Sequence, residues 1–268
     1  MEKVKKNKVK GVNSSSMIMI ACLGLAIAIY YFILGNPANF VNNDPNNHPL
    51  DGNFLGMIYK GGIIVPIIQT LLLTVLALSV ERFFAIKKAE GKGNLTQFVH
   101  DINAALSTGN IADAKAICTK QQGSVSNVVA NALTKYEQVE KDSSLSKEQQ
   151  ILAIQKEIEE ATALELPMLS QNLPIIATIT TLGTLMGLLG TVIGMIRSFA
   201  SLAGAGGTDS IALSQGISEA LINTAFGIAT GALAVVSYNY FTSRIDSITY
   251  CIDEVGFSIV STFAASHK

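Results

Sequence analysis

Hydrophobic and polar positions divide the chain into four apolar blocks separated by polar connections. Met17 to Leu34, Ile58 to Val80, Pro174 to Ile196 and Ala220 to Ser243 are each 18 to 24 residues long, close to the roughly 20 that a helix needs to cross about 30 Å of hydrocarbon. A helix satisfies its own backbone in lipid, so no strand is needed in these blocks. The pattern predicts an all-α, polytopic membrane protein. A basic tail (1–16) leads into a first anchor (17–34), a polar connection (35–57) and a second span (58–80). A long polar region (81–173), a third span (174–197), a second connection (198–218), a fourth span (219–243) and a tail (244–268) complete it. The first block has the positive start of a signal peptide, but it is long and no clean cleavage pattern follows in "YYFILGNPANF", so it reads as an uncleaved anchor.

The polar region reads as helical. "NLTQFVHDINAALSTGNIADAKAICTKQ" puts Phe98, Ile102 and Leu106 on one stripe and Ile111, Ala114 and Cys118 on another, with a turn at Gly109 and Asn110. A later helix is expected to start at Ser146, with Gln149 completing a capping box. Ile151, Ile154, Ile158 and Leu164 then run towards the third span, and nothing before Pro174 stops the helix, so it is expected to continue into that span. Helices of this kind need neighbours, and the region reads as an assembly surface.

Charge orients the spans. "MEKVKKNKVK" and "ERFFAIKKAEGK" are basic, whereas Gly35 to Met57 holds Asp44 and Asp51, and Ser198 to Ser218 holds Asp209, with no Lys or Arg in either connection. The positive-inside rule then puts both termini and the long polar region in the cytoplasm. Arg82, Lys87 and Lys88 read as topology and headgroup residues.

Composition agrees. The chain is 49% hydrophobic and 15% charged with a net charge of −1, less charged than a soluble domain. It shows no global basic field, phosphate loop or RNA-binding pattern, so no nucleic-acid partner is expected. Cys22, Cys118 and Cys251 are far apart and indicate neither a zinc site nor a disulfide framework. His48, His100 and His267 are scattered. No nucleophile and base stand at a recognisable spacing, no cofactor or metal is implied, and an enzyme is not expected.

The polar residues inside the apolar blocks carry the chemistry. Gly183, Gly187, Gly190 and Gly194 line one face of the third span, and Gly227 and Gly231 lie on the fourth, small faces on which helices approach closely. Thr180, Thr184, Thr191 and Ser198 form a hydroxyl stripe beside the first set; Glu219, Asn223, Thr230 and Ser237 form another, and Thr224 lies beside Gly227. A membrane threonine can return its hydroxyl to a carbonyl one turn earlier and do no more than pack. Two polar lines on consecutive helices suggest instead a wet path or a seat for a polar partner helix. Glu219 reads equally as a carboxylate favoured by a helix N-terminus and as a functional group. A proton relay needs a titratable group near mid-membrane. None stands there, so a partner must supply one.

"TTLGTLMGLLGTVIGMIRSF", followed by "ISEALINTAFGIATGALAVVSYNYF", and "LSVERFFAIKKA" at the inner end of the second span resemble the MotA/TolQ/ExbB proton-channel family over roughly Gly56 to Ile245, most like its ExbB branch. The flagellar branch is a poorer fit, because it carries prolines in the last two membrane helices and a longer cytoplasmic tail. The resemblance implies a homopentameric ring in the inner membrane of a Gram-negative bacterium. That ring surrounds the single-span helices of an ExbD-like dimer, whose membrane aspartate titrates, and together they energise a TonB-like protein for transport across the outer membrane. Thr191 and Thr224 match the family's pore-lining threonines and Glu219 its acidic residue; Thr184, Asn223 and Thr230 would be a secondary polar stripe. The extra anchor and the loop "GNPANFVNNDPNNHPLDG" depart from the family's shorter members; they are expected at the ring's periphery and leave room for a Tol-like or gliding branch. A secondary transporter is disfavoured by the few spans and lack of an inverted repeat. A non-conducting scaffold would need the threonines only to pack.

Overall fold

The computed structural model describes residues 11–204 and 210–266. Most of the basic tail, Asp209 and His267 lie outside them. Among the described residues the chain is helical apart from turns and one isolated bridge between Phe40 and Pro49. The helices are α1 (Gly11–Ala28), α2 (Phe54–Lys60), α3 (Ile64–Glu90), α4 (Leu95–Ser107), α5 (Ile111–Gln121), α6 (Ser124–Glu140), α7 (Lys147–Leu169), α8 (Leu173–Gly204) and α9 (Ser210–Ser266). Four helices, within Ser15–Leu34, Ile64–Ser107, Leu173–Ala200 and Gly216–Ser266, are long and apolar enough to cross a membrane. The chain divides into two compact units, Met1–Val80 with Asn172–Tyr238 and Glu81–Gln171 with Asn239–Lys268.

In the first unit, α1 ends in a π-helical turn, Ile29–Leu34, whose wide ring is closed by Gly35 N–H donating to Tyr30 O. Carbonyls left open at a helix end need donors, and Asn39 Nδ2 reaches both Ile33 O (2.8 Å) and Leu34 O (3.0 Å). Tyr30 stacks on Tyr59 at 4.6 Å and donates its hydroxyl to Tyr59 O, while Phe40 meets the Tyr59 ring edge-on. A side chain at Gly35 would lie 2.6 Å from the Tyr59 ring, so any larger residue there would have to displace that ring. The second span starts later than expected: α2 stops at Lys60, Gly62 turns the chain at φ +76°, and α3 begins at Ile64.

In the second unit, α4 and α5 occur as the two stripes predict, with Phe98, Ile102, Leu106, Ala114 and Cys118 buried. Burial pushes the Cys118 thiol up to about 12. The Ser146–Gln149 capping box is present. Of the predicted α7 stripe, Ile154 is fully buried and Ile158 packs towards Gly256, but Leu164 is exposed. Sequence reasoning missed α6, whose Val125, Val128, Val129, Ala132, Leu133 and Tyr136 are buried.

Four expectations are corrected. The helix that starts near Ser146 does not run into the third span. It is capped at Ser170, and Asn172, at φ +66°, turns the chain into α8; asparagine tolerates this left-handed conformation. Arg82 is not a headgroup residue. At 2% exposure it donates to Met168 O and Leu169 O, the last carbonyls of α7, and pairs with Glu81. The 244–268 segment is no tail as far as it is described. It continues α9 to Ser266, burying Ile245, Ile248, Ile252, Val255, Ile259 and Phe263 at helical spacing, with Phe263 edge-on to Tyr136. The 198–218 connection is likewise shorter than hydropathy implies, because α8 reaches Gly204 and α9 starts at Ser210.

Candidate functional site

The site is built on the seam between α8 and α9 in the first unit. A Cβ at Gly187 would lie 2.9 Å from Asn223 O and 3.0 Å from Gly227 Cα, and one at Gly227 only 2.6 Å from Gly183 O. Gly183 faces Gly231 N, Gly194 faces Ala220, and Gly231 faces Thr180 O and Thr184 Oγ1. Gly190 receives the Asn223 side chain. All six glycines predicted for packing therefore lie where the two backbones approach within side-chain distance, an arrangement driven by van der Waals contact.

On this seam the hydroxyls sort into two kinds. Thr180 bonds Ala177 O, Thr184 Thr180 O, Ser198 Gly194 O and Thr230 Phe226 O, each returning to its own helix. Thr191 and Thr224 instead reach across. Their hydroxyls bond each other, Thr224 Oγ1 also reaches Gly187 O at 3.2 Å, and Thr191 Oγ1 lies 3.3 Å from Gly187 O and 3.4 Å from Ala220 O. Both side chains are half-buried. The pair is uncharged and over-supplied with acceptors, so its protons have more than one place to go.

About one turn earlier on α9, Glu219 lines a cavity of about 210 Å³ together with Lys60, Gly61, Gly190, Arg197 and Asn223. Asn223 is 3% exposed and ties α9 to the α2–α3 turn by donating Nδ2 to Gly61 O at 2.9 Å. Lys60 leans the other way, donating to Asn46 O at 3.0 Å and lying over the Phe40 ring. The structure thus brings Thr191, Thr224, Glu219 and Asn223 to one region of the seam, whereas Thr184 and Thr230 bond locally. Sequence reasoning missed Lys60 and Arg197, which sit inside or at the edge of apolar blocks; a lone cation in such a block was the available signal. It also missed Gln69, buried in α3 with its Oε1 unpaired among the described residues. No group of His, Cys, Asp and Glu suited to a metal occurs among the described residues.

Comparison with known proteins gives four findings of the same kind. The sequence pattern of the MotA/TolQ/ExbB proton channel family matches residues 121–254, a stretch that includes α8 and most of α9. A protein of Methanothermobacter thermautotrophicus named as a biopolymer transport ExbB homolog is 25% identical over 73% of this chain and 65% of its own length. The Tol-Pal system protein TolQ of Haemophilus influenzae is 36% identical over 31% of this chain and 37% of its own, and the biopolymer transport protein ExbB of Salmonella typhimurium 35% identical over 32% and 35%. The matched stretches thus span less than two thirds of each relative.

Proposed function

The chain belongs to the MotA/TolQ/ExbB proton channel family, a family of multi-pass membrane proteins rather than enzymes, and on that premise we propose that it is the ring-forming subunit of a proton-driven motor. Copies of the chain surround single-span partner helices of the ExbD type. The partner brings the titrating carboxylate, and Thr191, Thr224 and Glu219 line the route by which a proton reaches or leaves it. The ring sits in the inner membrane with both termini in the cytoplasm and delivers work to a TonB-like protein that spans the envelope. The similar identities to the TolQ and ExbB relatives favour, as a second reading, a Tol-like motor that acts on envelope integrity.

The observation that carries this reading is the cross-helix hydroxyl pair, because every other hydroxyl named on the seam is satisfied within its own helix. An elementary charge crossing about 100 mV gains roughly 2.3 kcal/mol, so a few protons supply enough energy for a stepwise movement of partner within ring. The test is proton flux in liposomes containing the chain and its partner subunit. Thr191→Val and Thr224→Val keep the side-chain shape and remove the hydroxyl. Flux that needs the partner and collapses in either variant while the complex assembles supports the reading; unchanged flux and assembly would reduce the hydroxyls to packing.

A further inference from the structure

Just past their apolar runs, α3 and α9 carry the same short arrangement. On α3, Lys87 Nζ lies over the ring of Phe83, one turn earlier, at 6.0 Å from its centroid. On α9, the Arg244 guanidinium lies over the ring of Tyr240, again one turn earlier, at 5.9 Å. Helical side chains lean towards the N-terminus of their helix, and in both helices that direction leads back to the apolar run. Each cation is therefore drawn towards hydrocarbon, onto an aromatic face that attracts it. Ile86 and Phe241, each 4% exposed, form the floor between the two helices, and together with Glu90 these residues line one groove of about 220 Å³. Its rim is open, with Phe83 45% and Tyr240 47% exposed. Glu90 approaches Arg244 at 3.7 Å, which is beyond hydrogen-bond distance, so it holds the guanidinium by charge and takes none of its five N–H donors.

We propose that this groove binds the phosphodiester headgroup of one anionic phospholipid. The fit is one of charge and shape. Lys87 and Arg244 against Glu90 leave a net charge of +1, which the single negative charge of a phosphodiester balances. The arginine offers a planar fork to phosphate oxygens and the lysine a point charge, while the apolar floor and aromatic rim suit the start of the acyl chains. A choline head is a poor match, because both rings already face a cation of the protein and it would meet two like charges. The headgroup role expected of Arg82, Lys87 and Lys88 thus falls to Lys87, joined by Arg244; Lys88 lines a different cavity. A lipid held by both helices fixes the depth of α3 and α9 in the bilayer. The inference is independent of the proton path and needs only that the two helices cross a membrane.

The test uses the full chain reconstituted in vesicles of equal parts phosphatidylglycerol and phosphatidylcholine. The chain is extracted in a mild non-ionic detergent, and the lipids it retains are counted by mass spectrometry. Each unit of charge beside an anionic headgroup shifts the preference about fivefold. Wild type should therefore retain phosphatidylglycerol over phosphatidylcholine by about fivefold, and Lys87→Ala and Arg244→Gln should approach parity. Glu90→Gln, which removes the opposing charge, should raise the preference to about 25-fold. Lys88→Ala, adjacent in sequence but on another face, should stay within about twofold of wild type. Parity in wild type overturns the proposal. So does a loss in Lys88→Ala equal to that in Lys87→Ala, which would leave only diffuse surface charge. Displacement of the lipid by inorganic phosphate in the wash overturns it in favour of a free anion. A changed size-exclusion profile in both Lys87→Ala and Arg244→Gln overturns it in favour of a second copy of the chain. If Arg244→Gln alone fails to fold, the opposite signs expected of Lys87→Ala and Glu90→Gln decide the matter.

Discussion

Gly227→Ala tests the seam most directly, because its added methyl meets backbone atoms that cannot rotate away. The methyl carbon would lie 2.6 Å from Gly183 O, 2.7 Å from Gly187 Cα and 2.9 Å from Gly187 N. Restoring ordinary contact requires α8 and α9 to part by roughly 0.8 Å, which forfeits a quarter to a half of the dispersion energy of the facing atoms. Overpacking of this kind costs about 1–3 kcal/mol, and loosening the Thr191–Thr224 contact adds about 0.5–1.5 kcal/mol. Alanine's better helix propensity returns roughly 1 kcal/mol, leaving a net loss of about 0.5–3.5 kcal/mol. Gly24→Ala is the internal control: nothing lies within 4 Å of its added methyl, so only the propensity gain remains. Detergent-solubilised variants heated in steps and followed by size exclusion should rank Gly24→Ala at or above wild type and Gly227→Ala clearly below. If Gly227→Ala is as heat-resistant as Gly24→Ala, the close approach of α8 and α9 is wrong, and with it the geometry of the hydroxyl pair.

Arg82→Met should cost about 1–3 kcal/mol, the penalty for stranding buried carbonyls at Met168 and Leu169, and should speed limited proteolysis around Gln171; normal resistance there would refute the capping role. Ser146→Ala removes one half of the capping box, and a melting study should show a loss of about 0.5–2 kcal/mol. Cys118, with its thiol raised to about 12, should resist maleimide at pH 8 until the protein is unfolded. The same shift gives a sign for stability: the folded chain holds this proton more tightly than the unfolded one, so the contribution is fully present below about pH 9 and is lost as pH rises towards 12. A denaturation series showing no such loss in wild type relative to Cys118→Ala would contradict it.

The spans and the glycine seam were legible because both are periodic: an apolar block announces its length, and glycines three and four apart announce a face. The breaks were not. Nothing in a hydropathy profile distinguishes Asn172 continuing a helix from Asn172 turning it, and the residue that caps the end of α7, Arg82, lies far away in sequence. The length of α9 was missed for a related reason. Its stripe from Ile245 to Phe263 is interspersed with Arg244, Asp246, Asp253 and Glu254, so composition reads as a tail although spacing reads as a packed helix. At the site, spacing gave the polar stripes to which Thr191 and Glu219 belong and set Thr224 beside Gly227, and the resemblance to the family singled out these three among them. That Asn223 leaves an oxygen unpaired could not be foreseen, because it depends on where the α2–α3 turn places one carbonyl.

The same physics explains why a proton path in this chain would be built from hydroxyls. A charge held at mid-membrane is costly even when paired, and a ring would repeat that cost in every copy. Two facing hydroxyls avoid it. Each has one hydrogen and two lone pairs, and only one hydrogen fits between Thr191 and Thr224, so the other is directed to Gly187 O or Ala220 O. Moving the hydrogen from one side of the pair to the other exchanges similar bonds and creates no ion. An arriving carboxylate could take either hydroxyl as donor, at the expense of one long bond to a carbonyl that keeps its helical partner. The valine variants would leave such a carboxylate facing methyl groups alone, so they should weaken partner helix docking as well as flux. Partner retention on an affinity column that stays unchanged in both variants would restrict the hydroxyls to proton transfer and remove any part in seating the partner.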